Sequence, residues 1–167
     1  AGLLKSLVKT LSAVPGVVAI VLGGSYAEGA QTATSDMDIG LYYRPGAPFD
    51  LTAIRATAEA VAVQPPTVTE FYAWGPWVNG GAWIQTAAGK VDFLYRNLDQ
   101  VEQTIQEAQA GIMRHDFDQQ PTFGFYSVIY LAETRICRPL YDPDGVIARL
   151  KESVAVYPPA LKRKAVA

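Results

Sequence analysis

The sequence predicts an α+β chain: a small mixed β-sheet with flanking helices, followed by a helical C-terminal part. Three observations carry that prediction. Val17 to Leu22 is an unbroken apolar run, short enough for a strand buried on both faces. Further short segments, Met37–Tyr43, Thr67–Tyr72, Ala82–Ala87 and Lys90–Arg96, are rich in β-branched and aromatic residues or alternate in polarity. From Asn97 onward the hydrophobic period turns helical. At 167 residues the chain makes one ordinary domain, or one domain with an appendage.

Taken in order, Leu3, Leu4, Leu7, Val8 and Leu11 recur at helical spacing with polar residues between them. That is an amphipathic surface helix, too polar for a targeting signal or a membrane span. The strand Val17–Leu22 ends at Gly23-Gly24-Ser25, and Tyr26 to about Gln31 reads as a short helix starting from that turn. Met37–Tyr43 is the next strand. Asp50 can cap a helix from Leu51 to Val63 that buries Leu51, Ile54, Ala58 and Val61, with Pro65-Pro66 as its stop. Thr67–Tyr72 is a strand and AWGPWVNGG an aromatic loop, after which Ala82–Ala87 and Lys90–Arg96 form a hairpin about Ala88-Gly89.

In the helical part, Asn97 or Asp99 starts a helix striped by Leu98, Val101, Ile105 and Ala108. Phe125, Val128, Ile129, Ala132 and Ile136 stripe another, and Asp142-Pro143 starts a third with Val146, Ile147 and Leu150. Pro158-Pro159 opens a last helix of about two turns, from which the native protein is expected to continue into further helices. His115 lies in the polar stretch RHDFDQQP and is expected on a surface loop.

Composition excludes several classes. A net charge of −2 argues against a broad basic surface holding nucleic acid. One cysteine, Cys137, excludes a disulfide framework and is compatible with a reducing compartment. One Cys with one His leaves no structural zinc site. A soluble cytoplasmic protein is expected.

The chemistry gathers around acids in strands. Alternation puts Asp36 and Asp38 on one face and Met37 and Ile39 on the other. Two like charges about 4 Å apart repel by roughly 1 kcal/mol in water and about 4 at an effective dielectric near 20. A divalent cation removes that cost. Asp92, in the strand GKVDFLYR, adds a third carboxylate, and the three can converge beside the Gly23-Gly24-Ser25 turn. Such a cluster suits one or two Mg²⁺, with backbone N–H groups of Gly24 and Ser25 facing a phosphate. The plainer account is three solvated acids and a tight turn.

Rival motifs fit less well. Gly24-SYAE-Gly29 lacks the Lys-Ser/Thr of a phosphate-binding Walker loop. Gly23-Gly24-Ser25-Tyr26-Ala27 approximates a hydrolase elbow, and Asp92 and His115 follow in the right order, but Asp36 and Asp38 would then be unexplained. Glu133 shares a helical face with Tyr126 and Tyr130. It is either part of a packing stripe or a general base or cation anchor for a second substrate. Trp74, Trp77 and Trp83 either pack the loop or wall a base or sugar. Lys90 and Arg96 either meet phosphate or are solvated.

The run GGSYAEGAQTATSDMDIGLYY, with Asp92 on a later strand, resembles the signature of the polymerase-beta-type nucleotidyltransferase superfamily. The whole chain is similar to bacterial nucleotidyltransferase-domain proteins related to aminoglycoside nucleotidyltransferases. The resemblance implies a nucleotidyltransferase fold, with residues 1–97 as catalytic domain and residues 98–167 as a helical region that helps bind the acceptor. It implies that Gly24 and Ser25 hold the triphosphate, that Asp36 and Asp38 bind two Mg²⁺, and that Asp92 binds the ion nearer the acceptor. The implied reaction moves a nucleoside monophosphate, commonly AMP from ATP, to a hydroxyl of a small molecule and releases pyrophosphate. Two alternatives remain: a non-catalytic nucleotide- or partner-binding domain, and an antitoxin-like protein adenylyltransferase.

Overall fold

Alternating polarity decides the centre of the molecule. The computed structural model describes residues 2–24, 37–76, 79–112, 115–116, 125–126 and 128–155. Their strands are β1 (Ala19–Gly23), β2 (Met37–Tyr43), β3 (Thr67–Val68), β4 (Gly81–Thr86), β5 (Gly89–Asn97), β6 (His115–Asp116), β7 (Phe125–Tyr126) and β8 (Arg138–Tyr141). Their helices are α1 (Gly2–Ser12), α2 (Leu51–Val61), α3 (Leu98–Gln109), α4 (Val128–Ile136) and α5 (Val146–Ser153). One mixed sheet runs in the order β3-β4-β5-β2-β1-β8, in which β2 and β5 are parallel and the other pairings antiparallel.

Each face of the sheet has its own core. Ile39, Leu41 and Tyr43 of β2, with Val91, Phe93 and Tyr95 of β5, pack with Leu7 and Leu11 of α1 and Ile54 and Ala58 of α2. Each such fully buried side chain contributes roughly 1.5–3 kcal/mol, so this face supplies much of the stability. The opposite face brings Ala19, Val21 and Tyr42 against Leu98, Val101 and Ile105 of α3, Tyr130 and Leu131 of α4, and Ile147 of α5. No helix among the described residues is long and apolar enough to cross a membrane.

The caps follow local chemistry. The Asp50 carboxylate accepts from Thr52 N at 2.9 Å and starts α2. Asn97 Oδ1 accepts from Gln100 N at 3.2 Å and starts α3. The Asp142 carboxylate accepts from Ile147 N at 3.2 Å and Ala148 N at 3.0 Å, which serves two of the free amides at the start of α5.

Several expectations need correction. Helix α2 ends at Val61 rather than Val63, because the sheet edge captures the chain before the prolines: Ala62 bridges Thr86 and Val63 N donates to Gln85 O at 2.8 Å. The strand expected over Thr67–Tyr72 stops at Val68. Tyr72, at φ 61, turns the chain, and the Phe71 ring joins Tyr43, Phe49 and Tyr95 at 4.8, 5.0 and 5.4 Å. The hairpin turn is Ala87-Ala88, since Thr86 pairs with Gly89. Phe125 lies in β7, and α4 buries Tyr130, Leu131 and Thr134 while Ala132 and Ile136 are exposed. Nine residues make about two and a half turns, too few for period alone to separate adjacent faces.

His115 belongs to β6, paired with β7, rather than to a loop. The chain beyond residue 97 is not helical throughout, since Arg138–Tyr141 returns to the sheet beside β1. That strand is short, carries Pro139 and lies at the edge, where proline is tolerated, so its sequence carries little strand signal. The helices expected over Tyr26–Gln31 and after Pro158-Pro159 lie outside the described residues.

Candidate active site

Strand pairing builds the site. In the parallel β2–β5 pair Asp38 lies directly across from Asp92, and on β1 Gly23 lies across from Asp38. Neighbouring strands stand about 4.8 Å apart and paired residues project from the same face, so the two carboxylates are side by side. Both residues are half-buried, and Oδ1 of Asp92 is shielded from solvent. The next residues, Ile39 and Phe93, are wholly buried on the other face. A slip of either strand by one residue would drive its own acid into that apolar core, so the register is strongly specified.

Gly24 completes the contact. Its φ is +64, and a Cβ there would stand 2.6 Å from Asp38 Oδ2. Any other residue would meet both backbone strain and the carboxylate itself. Here the glycine turn and the acid strand touch, as the sequence suggested. Ser25 and Asp36, the other expected members of the site, lie outside the described residues. Among the described residues no group of three or more His, Cys, Asp or Glu could hold a metal ion. The described pair nonetheless fits the expected ion. Mg²⁺ takes oxygen ligands and is commonly held by one or two carboxylates with substrate phosphates.

The row of paired residues continues on β4, where Trp83 lies across from Asp92. Trp83 is 42% exposed and its ring packs on Trp74 at 4.8 Å. Trp77 lies outside the described residues. A hydrolase triad would need a histidine beside Asp92. Its in-register neighbours are Asp38 and Trp83, and His115 sits on the separate two-stranded sheet.

Four residues farther along both strands, Tyr42 pairs with Arg96 on the same face. Arg96 Nε donates to both carboxylate oxygens of Glu133, at 3.0 and 3.3 Å, and Nη2 donates to Oε2 at 3.1 Å. The guanidinium lies over the Tyr130 ring, 5.6 Å from its centre. Burial opposes the charge on Arg96, but the Glu133 carboxylate outweighs it and holds the guanidinium above its usual range. Burial, reinforced by Glu133, pushes the Tyr42 hydroxyl well up, and burial likewise raises Tyr130. The Glu133 carboxylate therefore faces Arg96 beside Tyr130, whereas Tyr126, expected on the same helix face, lies in β7. Sequence reasoning missed the pair. Its signal was an arginine two alternations past Asp92 in a mostly apolar strand, which calls for a carboxylate from elsewhere in the chain.

The family model described as Nucleotidyltransferase domain matches residues 4–79. The match takes in β1, the glycine turn, β2 and α2, and it ends before the strand that carries Asp92. It supports the polymerase-beta-type nucleotidyltransferase superfamily and, in general terms, nucleotidyl transfer. The mixed sheet with its helices is consistent with the α+β nucleotidyltransferase fold. No curated protein matches the chain.

Proposed function

We propose that the chain is a Mg²⁺-dependent nucleotidyltransferase that moves AMP from ATP to a hydroxyl of a small-molecule acceptor and releases pyrophosphate. The observation that carries this reading is Asp38 beside Asp92, with Gly24 set against the Asp38 carboxylate. In it, Asp36 and Asp38 hold two ions and Asp92 holds the one nearer the acceptor. When bound, the ions offset charge on the transferring phosphoryl group and on the attacking and leaving oxygens.

The chain's own residues do the rest. The backbone N–H groups of Gly24 and Ser25 take the triphosphate, which approaches closely because Gly24 has no side chain. Asp92 accepts the proton of the attacking hydroxyl. The acceptor oxygen bonds to the α-phosphorus as the bond from that phosphorus to pyrophosphate breaks. Holding acceptor and phosphorus in line can supply up to about 7–11 kcal/mol in well-oriented systems. Residues 1–97 carry this chemistry, residues 98–167 complete the acceptor side, and the reaction belongs in the cytoplasm with its ATP and Mg²⁺.

The test is incubation with α-labelled ATP, Mg²⁺ and a panel of hydroxyl-bearing small molecules that begins with aminoglycosides. Label should pass to an acceptor with one pyrophosphate released per transfer, and Asp38→Ala or Asp92→Ala should lower both by about 10²–10³-fold. Wild-type transfer by Asp38→Ala would overturn the site. ATP binding without pyrophosphate release from any acceptor would leave a nucleotide-binding domain.

A further inference from the structure

We infer that the cleft between α3 and α5 is a second binding site, one that takes a small zwitterion with an apolar side chain, the class of the free α-amino acids. Its volume is ≈ 310 Å³. That is the small end of the roughly 300–1,000 Å³ of ligand clefts, and it suits a ligand of this size. Glu102, Ile105 and Gln109 share one face of α3, and Val146, Arg149 and Ser153 repeat the same spacing on α5. Arg44, just past the end of β2, joins the lining. It lies six residues beyond Asp38, about 20 Å along an extended chain, so this end of the cleft is apart from the acid pair.

Charge decides the ligand. Arg44 Nη1 meets two carboxylates, Asp99 Oδ1 at 2.6 Å and Glu102 Oε1 at 2.7 Å. Two acids share one guanidinium there, so that corner carries one negative charge in excess. Arg149 is the reverse. Its Nη1 donates to Asp144 O at 2.9 Å, a neutral acceptor, and among the described residues no carboxylate pairs with it. The same cleft thus holds one positive and one negative charge in excess. A simple anion would meet Glu102 there, and a simple cation would meet Arg149. A zwitterion satisfies both, its carboxylate accepting from Arg149 and its ammonium donating to Glu102.

The apolar part of the lining is Ile105, Val146 and Leu150, the first two of them buried, and a hydrocarbon side chain leaves water against them. The walls are set before any ligand arrives. Gln109 Nε2 donates to Ser153 O at 3.0 Å and ties the C-terminal ends of α3 and α5. Lys151 Nζ donates to Thr134 O, Arg135 O and Cys137 O at 3.2, 2.7 and 2.6 Å, which fixes α5 to the end of α4. A wall fixed beforehand spares the ligand the entropy of ordering it.

The site stands or falls without nucleotidyl transfer, so its test uses no ATP. The isotope-labelled full chain is titrated near neutral pH with L-leucine, 4-methylpentanoate and 3-methylbutylamine. These carry both charges, the carboxylate alone and the amine alone on the same hydrocarbon. The readout is the Nε–H signal of Arg149, assigned through its own side chain. L-Leucine should shift it saturably, and each one-charge analogue should bind at least about tenfold more weakly, the scale of one lost hydrogen bond to a charged group. Calorimetry should show a similar loss for L-leucine in Arg149→Met and in Glu102→Gln. No saturable shift with L-leucine overturns the site, and equal binding of either analogue overturns the zwitterion. Unchanged L-leucine affinity in either variant places the ligand elsewhere and overturns the assignment. If a variant does not fold, the three wild-type titrations decide.

Discussion

At one level of the β2–β5 pair Asp38 stands beside Asp92, and four residues on Tyr42 stands beside Arg96. Both levels use the same two strands and the same face. At the lower level the chain compensates its own charge: Glu133 arrives from α4 and takes Arg96 in three hydrogen bonds. At the upper level two like charges are neighbours, half-buried, with Gly24 cleared of any side chain beside them. A charge that is paired from within holds α4 to the sheet. Two carboxyl groups set side by side by the register are, in the proposed reading, ligands for a cation. In the proposed reading one level serves architecture and the other chemistry, although the strand geometry is the same.

The comparison breaks most sharply at Arg96. Arg96→Met leaves the half-buried Glu133 opposite an apolar side chain and should cost up to about 3 kcal/mol in chemical denaturation, with most of it restored in Arg96→Met/Glu133→Leu. If the single variant melts like the wild type, the lower level is not structural. Next comes the upper level. Asp38→Ala or Asp92→Asn should lower labelled-AMP transfer by about 10²–10³-fold, the scale of losing one preorganised electrostatic group. The same variants should cost less stability than Arg96→Met, because Asp38 and Asp92 are only half-buried. A large destabilisation would make the acids structural as well.

A smaller effect separates the levels without any acceptor. Mg²⁺ at a hundred times its Kd should stabilise the wild type by about 2.7 kcal/mol, read as a rise in Tm, and should leave Asp38→Ala unmoved. The smallest effect lies beneath Glu133. Burial, opposed by the Lys151 ammonium and aided by Glu133, raises the Cys137 thiol from 9.0 to about 11. The folded protein then keeps a proton that the unfolded chain loses, so this contribution is intact below pH 9 and fades as pH rises towards 11. Alkaline denaturation of Cys137→Ser should show a shallower decline across that window. An identical slope would mean that the thiol is not held protonated by its surroundings.

Much of this was legible in the chain. The bounds of β2 are those the alternation indicated, and Asp50 caps α2 as expected. Asn97 rather than Asp99 caps α3, whereas α5 begins at Val146, after a turn, and not at Asp142-Pro143. The misread elements are those whose local signal was overruled. Ala62 and Val63 left α2 because the β4 edge offered hydrogen bonds, and Tyr72 turned while Phe71 joined a ring cluster. Strand β8 was illegible because a four-residue segment with a proline carries no period. The Arg96–Glu133 pair was invisible for another reason: its partners are 37 residues apart in the sequence.

By itself the sequence determined that β1, β2, β4 and β5 exist, which of their faces are apolar, and that Asp38 and Asp92 cannot point into the α1–α2 core. Those are matters of period, read within one segment. Tertiary structure alone decided that residue 38 pairs with residue 92 and not with a neighbour one step away, that Glu133 belongs to Arg96, and that Trp83 ends the acid row. Register between distant strands comes from packing two cores at once, and no local pattern encodes it.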